Sequence, residues 1–195
     1  MQRMALYYKS SLNIWNTKIY NIPQKKNKKT ISFRVDPHII DELNEAARDD
    51  RITLNALVDQ VFYNYVTWDR KARSGWILIK KETLRSLIES MDEKKIARLG
   101  VRAAKIVMRD TLLSFSGKID LESWLLVTKH RSVRSDFAYQ ESRDRDEIKI
   151  VITHGMGPKW SLFHKAYYMQ MLKDLGRKTR VESTDNTLVI EIKTI

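Results

Sequence analysis

The stretch Thr30-Ile31-Ser32-Phe33-Arg34-Val35 alternates polar and apolar residues without a break. A period of two is the mark of a strand with one buried face. Ile31, Phe33 and Val35 fall on one side of it, and Thr30, Ser32 and Arg34 on the other. Asp36-Pro37 ends the strand and opens a helix, with Asp36 as N-cap and Pro37 at the first helical position. The helix carries Ile39, Ile40, Leu43, Ala46 and Ala47 at helical spacing and stops in the turn Asp49-Asp50-Arg51. Thr53 then caps a second helix, whose apolar face is Leu54, Leu57, Val58, Val61, Phe62, Tyr65 and Val66. One strand and two short helices in about forty residues cannot bury that surface alone, and a single strand leaves two open edges. The physical solution is a dimer whose two strands pair antiparallel, with Ile31, Phe33 and Val35 of both copies lying on a four-helix core. The opposite face then presents Thr30, Ser32 and Arg34 twice over, and a two-stranded ribbon fits the DNA major groove.

This segment resembles the ribbon-helix-helix family of DNA-binding proteins, Arc and MetJ among them, over residues 30–68. The matching features are the alternating strand, Pro37 at the start of the first helix, and Thr53-Leu54-Asn55 at the start of the second. The resemblance implies that Thr30, Ser32 and Arg34 read base edges. It also implies that the backbone N–H groups of Thr53, Leu54 and Asn55 clamp a phosphate, a task that suits a helix N-terminus. One departure stands out. Many members have Gly in the turn before the second helix, where this chain has Arg51, and a non-Gly residue tolerates a left-handed turn poorly.

Charge is distributed unevenly along the 195 residues. Residues 1–29 hold seven basic residues and no acid, residues 30–70 sum to −4, and the remainder sums to +9, for a net +12. The proposed reading segment is thus acidic, with Asp41, Glu42, Glu45 and Asp49 on the helix that faces away from DNA in this family. Phosphate attraction has to come from elsewhere. Residues 1–29 end in Pro23-Gln24-Lys25-Lys26-Asn27-Lys28-Lys29 and read either as a solvated tail or as a flexible basic arm placing Lys25, Lys26, Lys28 and Lys29 on phosphate. The lack of Cys excludes disulfides and thiolate metal sites. No apolar run is long enough to span a bilayer, and no secretory signal is evident. A cytoplasmic location without a membrane partner is the expectation.

Beyond residues 69–75, which read as a linker or as a helix end with a Gly stop, the pattern predicts a short strand over 76–80, a helix over 82–91 with Leu84, Leu87 and Ile88 inward, and a longer helix over 93–115. That last helix is expected to break at Gly100 and to bury Ile96, Leu99, Ala103, Ile106, Val107 and Leu113. Asp120 caps another helix bearing Leu121, Trp124, Leu125 and Val127. A hairpin follows over 137–141 and 148–153, then a helix opened by Gly157-Pro158 and closed by Gly176, then a last hairpin turning on Asp185-Asn186. The fold class expected is α+β: an N-terminal ribbon-helix-helix dimerisation module over 30–70, then an α+β domain over 76–195 with a mainly antiparallel sheet covered by helices.

Candidates for other chemistry are few. His38, His130, His154 and His164 match no zinc spacing. His154-Gly155-Met156-Gly157-Pro158-Lys159 could hold an anion at a helix start but lacks the P-loop spacing, so a structural turn is the better reading. No nucleophile, base and acid stand together. The expectation is a non-enzymatic, cofactor-free and metal-free transcription regulator. Its partners are double-stranded DNA, a second copy (a homodimer or a dimer of dimers), and a small-molecule effector if the 76–195 domain senses one. Two alternatives stay open: an antitoxin-like interaction protein, and a ligand-binding α+β domain with an N-terminal dimerisation module.

Overall fold

In the computed structural model, which describes residues 29–72 and 76–194, the chain divides between Arg70 and Lys71 into two units. In the first, helix α1 (Pro37–Asp49) starts with Pro37, whose missing N–H costs nothing at a helix start, although the Asp36 side chain makes no capping hydrogen bond. The helix closes by donating Arg51 N–H to Arg48 O at 3.0 Å and Ile52 N–H to Ala47 O at 2.9 Å. This paired closure needs a left-handed residue, and Arg51 supplies it at φ 55°. Helix α2 (Leu54–Asn64) follows, and the Thr53 Oγ1 accepts from Ala56 N–H at 3.2 Å. It runs on without a break through a π-helical turn, Tyr65–Asp69, into Arg70–Ala72. Residues 69–72 are therefore the end of a helix rather than a linker, and 73–75 lie outside the described residues.

The second unit is α+β. Helices α3 (Lys81–Glu89), α4 (Glu93–Ser116) and α5 (Leu121–Arg134) precede the hairpin of β1 (Ala138–Arg143) and β2 (Glu147–Thr153). Helix α6 (Pro158–Asp174) then leads to the hairpin of β3 (Thr179–Ser183) and β4 (Thr187–Lys193). The sheet is antiparallel in the order β1-β2-β4-β3, with Ile150 opposite Ile190 at its centre. Burial alternates along the strands as the side-chain period requires. Tyr139, Ile148, Ile150, Ile152, Val181, Leu188, Ile190 and Ile192 are buried on the helix-covered face. Each such fully buried aliphatic side chain contributes roughly 1.5–3 kcal/mol. The other face is solvated and pairs its charges across strands, Lys149 with Glu191 at 3.2 Å and Lys193 with Glu147 at 2.8 Å.

Four expectations for this unit fail. Residues 76–80 form no strand, and Ile77 and Leu78 are among the most exposed apolar residues described. An apolar run alone cannot make a strand without an edge to pair with, and 76–80 lies on none. Helix α4 is not interrupted at Gly100. The missing side chain there admits the backbone of α6, since a Cβ would collide with the Phe163 carbonyl oxygen and crowd Ala166. The buried face of α4 is accordingly Ile96, Gly100, Ala104, Met108, Leu112 and Phe115, while Ile106, Val107 and Leu113 are exposed. Leu87 of α3 is also exposed rather than inward.

Candidate nucleic-acid interface

Thr30, Ser32 and Arg34 are all exposed, and so are Ile31, Phe33 and Val35 between them. The strand read at 30–35 is not formed in the single chain. A strand exists only through ladder hydrogen bonds to a neighbour, and the described part of this unit contains no other strand. The apolar side of the segment does find α2, because the Phe33 ring meets the edge of Phe62 at 5.7 Å. That contact ties the three polar residues to the helix whose first turn holds Thr53, Leu54 and Asn55. Phe62 was legible as part of an apolar face, but its pairing with Phe33 was not, since nothing in the spacing links positions so far apart.

Thr53 and Asn55 are exposed at the start of α2 and Leu54 is half-buried. The Thr53 hydroxyl takes the Ala56 N–H, while the first-turn amides of a helix lack intrahelical acceptors and face outward along its axis. Of the basic arm, Lys29 is described and exposed; Lys25, Lys26 and Lys28 lie outside the described residues. Burial among the described residues of this unit is slight. Within residues 29–70 only Ala47 and Trp68 are buried, whereas Ile31 is 67% exposed, Phe33 62% and Val66 60%.

In the second unit, His154, His164 and the Gly-rich turn before α6 are engaged in structural hydrogen bonds. Met156 N–H donates to His154 Nδ1 at 3.0 Å, which leaves the proton on Nε2. His154 Nε2–H then donates to Ser161 Oγ at 2.9 Å, and that hydroxyl donates to Asp185 O at 3.2 Å. The imidazole is thus a donor to Ser161, the wrong sense for a base activating a nucleophile. Burial pushes His154 down to about 4 and drives His164 well below the usual histidine range. Lys159, the cation of the Gly-rich turn, donates to Glu89 O and Met91 O, both at 2.6 Å, and so closes the end of α3. The Gly157 N–H goes to Asn186 Oδ1 at 3.0 Å. That turn is structural. Among the described residues no group of three or more His, Asp or Glu is placed to hold a metal ion, and no described helix is long and apolar enough to cross a membrane. No protein-family model matches this sequence, and a search of curated proteins gave no significant match.

Proposed function

We propose that the chain is a homodimeric transcription regulator that binds double-stranded DNA sequence-specifically through a ribbon made by two copies of residues 30–35. The observation that carries this reading is the apolar surface left bare in the first unit. Ile31, Phe33, Val35, Ile39, Val61, Phe62 and Val66 are all exposed in one chain, a concentration that marks an interaction surface. A second copy related by a two-fold axis offers the same surface and an antiparallel strand partner for each open edge. Pairing turns Ile31, Phe33 and Val35 onto the four helices and leaves Thr30, Ser32 and Arg34 outward, as a major-groove reader requires. The first-turn amides at Thr53, Leu54 and Asn55 then take a phosphate, and Lys25, Lys26, Lys28 and Lys29 track the backbone. The left-handed Arg51 supports the reading further: the turn takes the conformation for which the family ordinarily uses Gly. The 76–195 domain serves oligomerisation, effector sensing or both, in the cytoplasm.

Selection of bound fragments from random duplex DNA tests this, because two-fold symmetry predicts an inverted-repeat site. If Arg34 meets a guanine bidentately, Arg34→Ala costs about 1–3 kcal/mol and relaxes preference at one position per half-site. Equal loss on every sequence would make Arg34 a phosphate contact, and the absence of any enriched inverted repeat would end the regulator reading.

A further inference from the structure

Helix α4 carries Lys95, Arg98, Arg102, Lys105 and Arg109, all exposed. Steps of three, four, three and four place them on one line along the helix, and a rise of 1.5 Å per residue makes that line about 21 Å long. The helix's two acids, Glu93 and Asp110, sit two and one positions from members of the line and therefore point elsewhere. None of the five cations forms an ion pair among the described residues. The solvated sheet face of the same unit shows the contrast. There Lys149 pairs with Glu191, Lys193 with Glu147 and Arg180 with Glu182, so a face that meets only water is neutralised residue by residue. The line on α4 instead stacks like charges at the spacings where they repel and destabilise a helix.

We propose that this line is a contact surface for the phosphate backbone of duplex DNA, separate from the base-reading segment and indifferent to sequence. The identity of the polyanion rests on the DNA-binding reading; the unneutralised cation line does not. Duplex DNA presents one negative charge per about 1.7 Å of axis, so the line faces on the order of a dozen charges. Its place in the second unit also answers the charge deficit of residues 30–70, which sum to −4. A membrane surface fits less well. An interfacial helix inserts a broad apolar face into lipid; here Ile96, Ala104, Met108, Leu112 and Phe115 are spent on the domain's own core, which leaves the narrow exposed strip of Ile106, Val107 and Leu113.

The test compares the full chain, an Arg98→Gln, Arg102→Gln, Lys105→Gln variant, and a charge-matched Lys149→Gln, Arg180→Gln, Lys193→Gln variant. Each is titrated with random-sequence duplex between about 50 and 200 mM salt, a range over which about six or more phosphate contacts change affinity strongly. Glutamine is a good helix former, so α4 persists, and circular dichroism checks it. The expected result is weaker binding to every duplex by the α4 variant alone. Its slope of log affinity against log salt should be shallower by about 2.7 per protomer if three phosphates are lost. Equal slopes for all three proteins, or equal losses in both variants, overturn the proposal. So does intact chain that ignores duplex at the lowest salt, or that prefers phosphatidylserine vesicles to it. Arg34→Ala run beside them separates the two surfaces. Loss of sequence preference with the α4 variant's slope unchanged leaves the ribbon standing and removes the line. A flattened slope in that variant with no preference in any protein does the reverse.

Discussion

At the scale of single residues, His154 shows how burial converts a titratable group into a structural one. Its ring accepts from Met156 N–H and donates to Ser161, an arrangement open only to the neutral imidazole. Burial holds His154 and His130 at about 4, against an ordinary 6.5. The unfolded chain therefore binds protons below about 6.5 that the folded chain refuses, and stability rises with pH wherever the unfolded state holds more. The contribution is complete above about pH 7, declines as pH falls through 6.5, and is lost by about pH 4. Urea denaturation at pH 7, 5.5 and 4.5 should show a falling midpoint that His154→Gln makes less steep. An unchanged slope in that variant would place the acid sensitivity in other groups. Arg51 teaches a second lesson. The sequence marked it as the departure from glycine, and the structure puts it at φ 55° all the same. The two hydrogen bonds that close α1 outweigh the roughly 1–2 kcal/mol left-handed cost. Residue preference alone could not reveal that balance.

At the scale of elements, what was legible depended on whether the pattern named its own partner. The two hairpins, the Asp120 cap and the Pro158 helix start are local signals, and each stands where the spacing put it, the Asp120 carboxylate accepting from Ser123 N–H at 2.8 Å. The face of α4 was misread because the helix is apolar on more than one side, and periodicity cannot say which side meets α6. The informative signal was Gly100 itself, which sits where two backbones approach rather than where a helix ends. Ala in place of Gly within a helix normally stabilises by about 1 kcal/mol. Here the added methyl meets a backbone carbonyl that cannot turn aside, and overpacking of this kind typically costs about 1–3 kcal/mol. Gly100→Ala should therefore lower the urea midpoint without changing the slope of the transition. A more stable variant would mean that α4 and α6 are farther apart than described. The strand read at 76–80 failed, and that at 30–35 is not formed in the single chain, for a related reason: the hydrogen bonds that make a strand belong to a neighbour, and no window of sequence contains it.

For the molecule as a whole, the described residues of the two units differ in how far they complete an interior. Residues 71–195 close a sheet under helices, with Ile150, Ile190, Ile192, Leu112 and Leu172 fully inaccessible. Residues 29–70 bury only Ala47 and Trp68, too little to offset the conformational entropy of ordering a segment of that length. If a second copy supplies the missing interior, folding and association of the first unit are one equilibrium, and its stability depends on protein concentration. A tenfold rise in concentration is worth about 1.4 kcal/mol, which for two such segments together moves a melting temperature by about 5–10 °C. The second unit needs no partner to bury its sheet. Calorimetry across a hundredfold concentration range should then resolve two transitions, one shifting upward with concentration and one fixed. Phe33→Asp, which puts a charge on the face meant for the dimer core, should abolish the shifting transition and leave the fixed one in place. A first transition that stays at one temperature at every concentration would mean that the exposed Ile31, Phe33 and Val35 do not meet a second copy, and the ribbon would lose its physical basis.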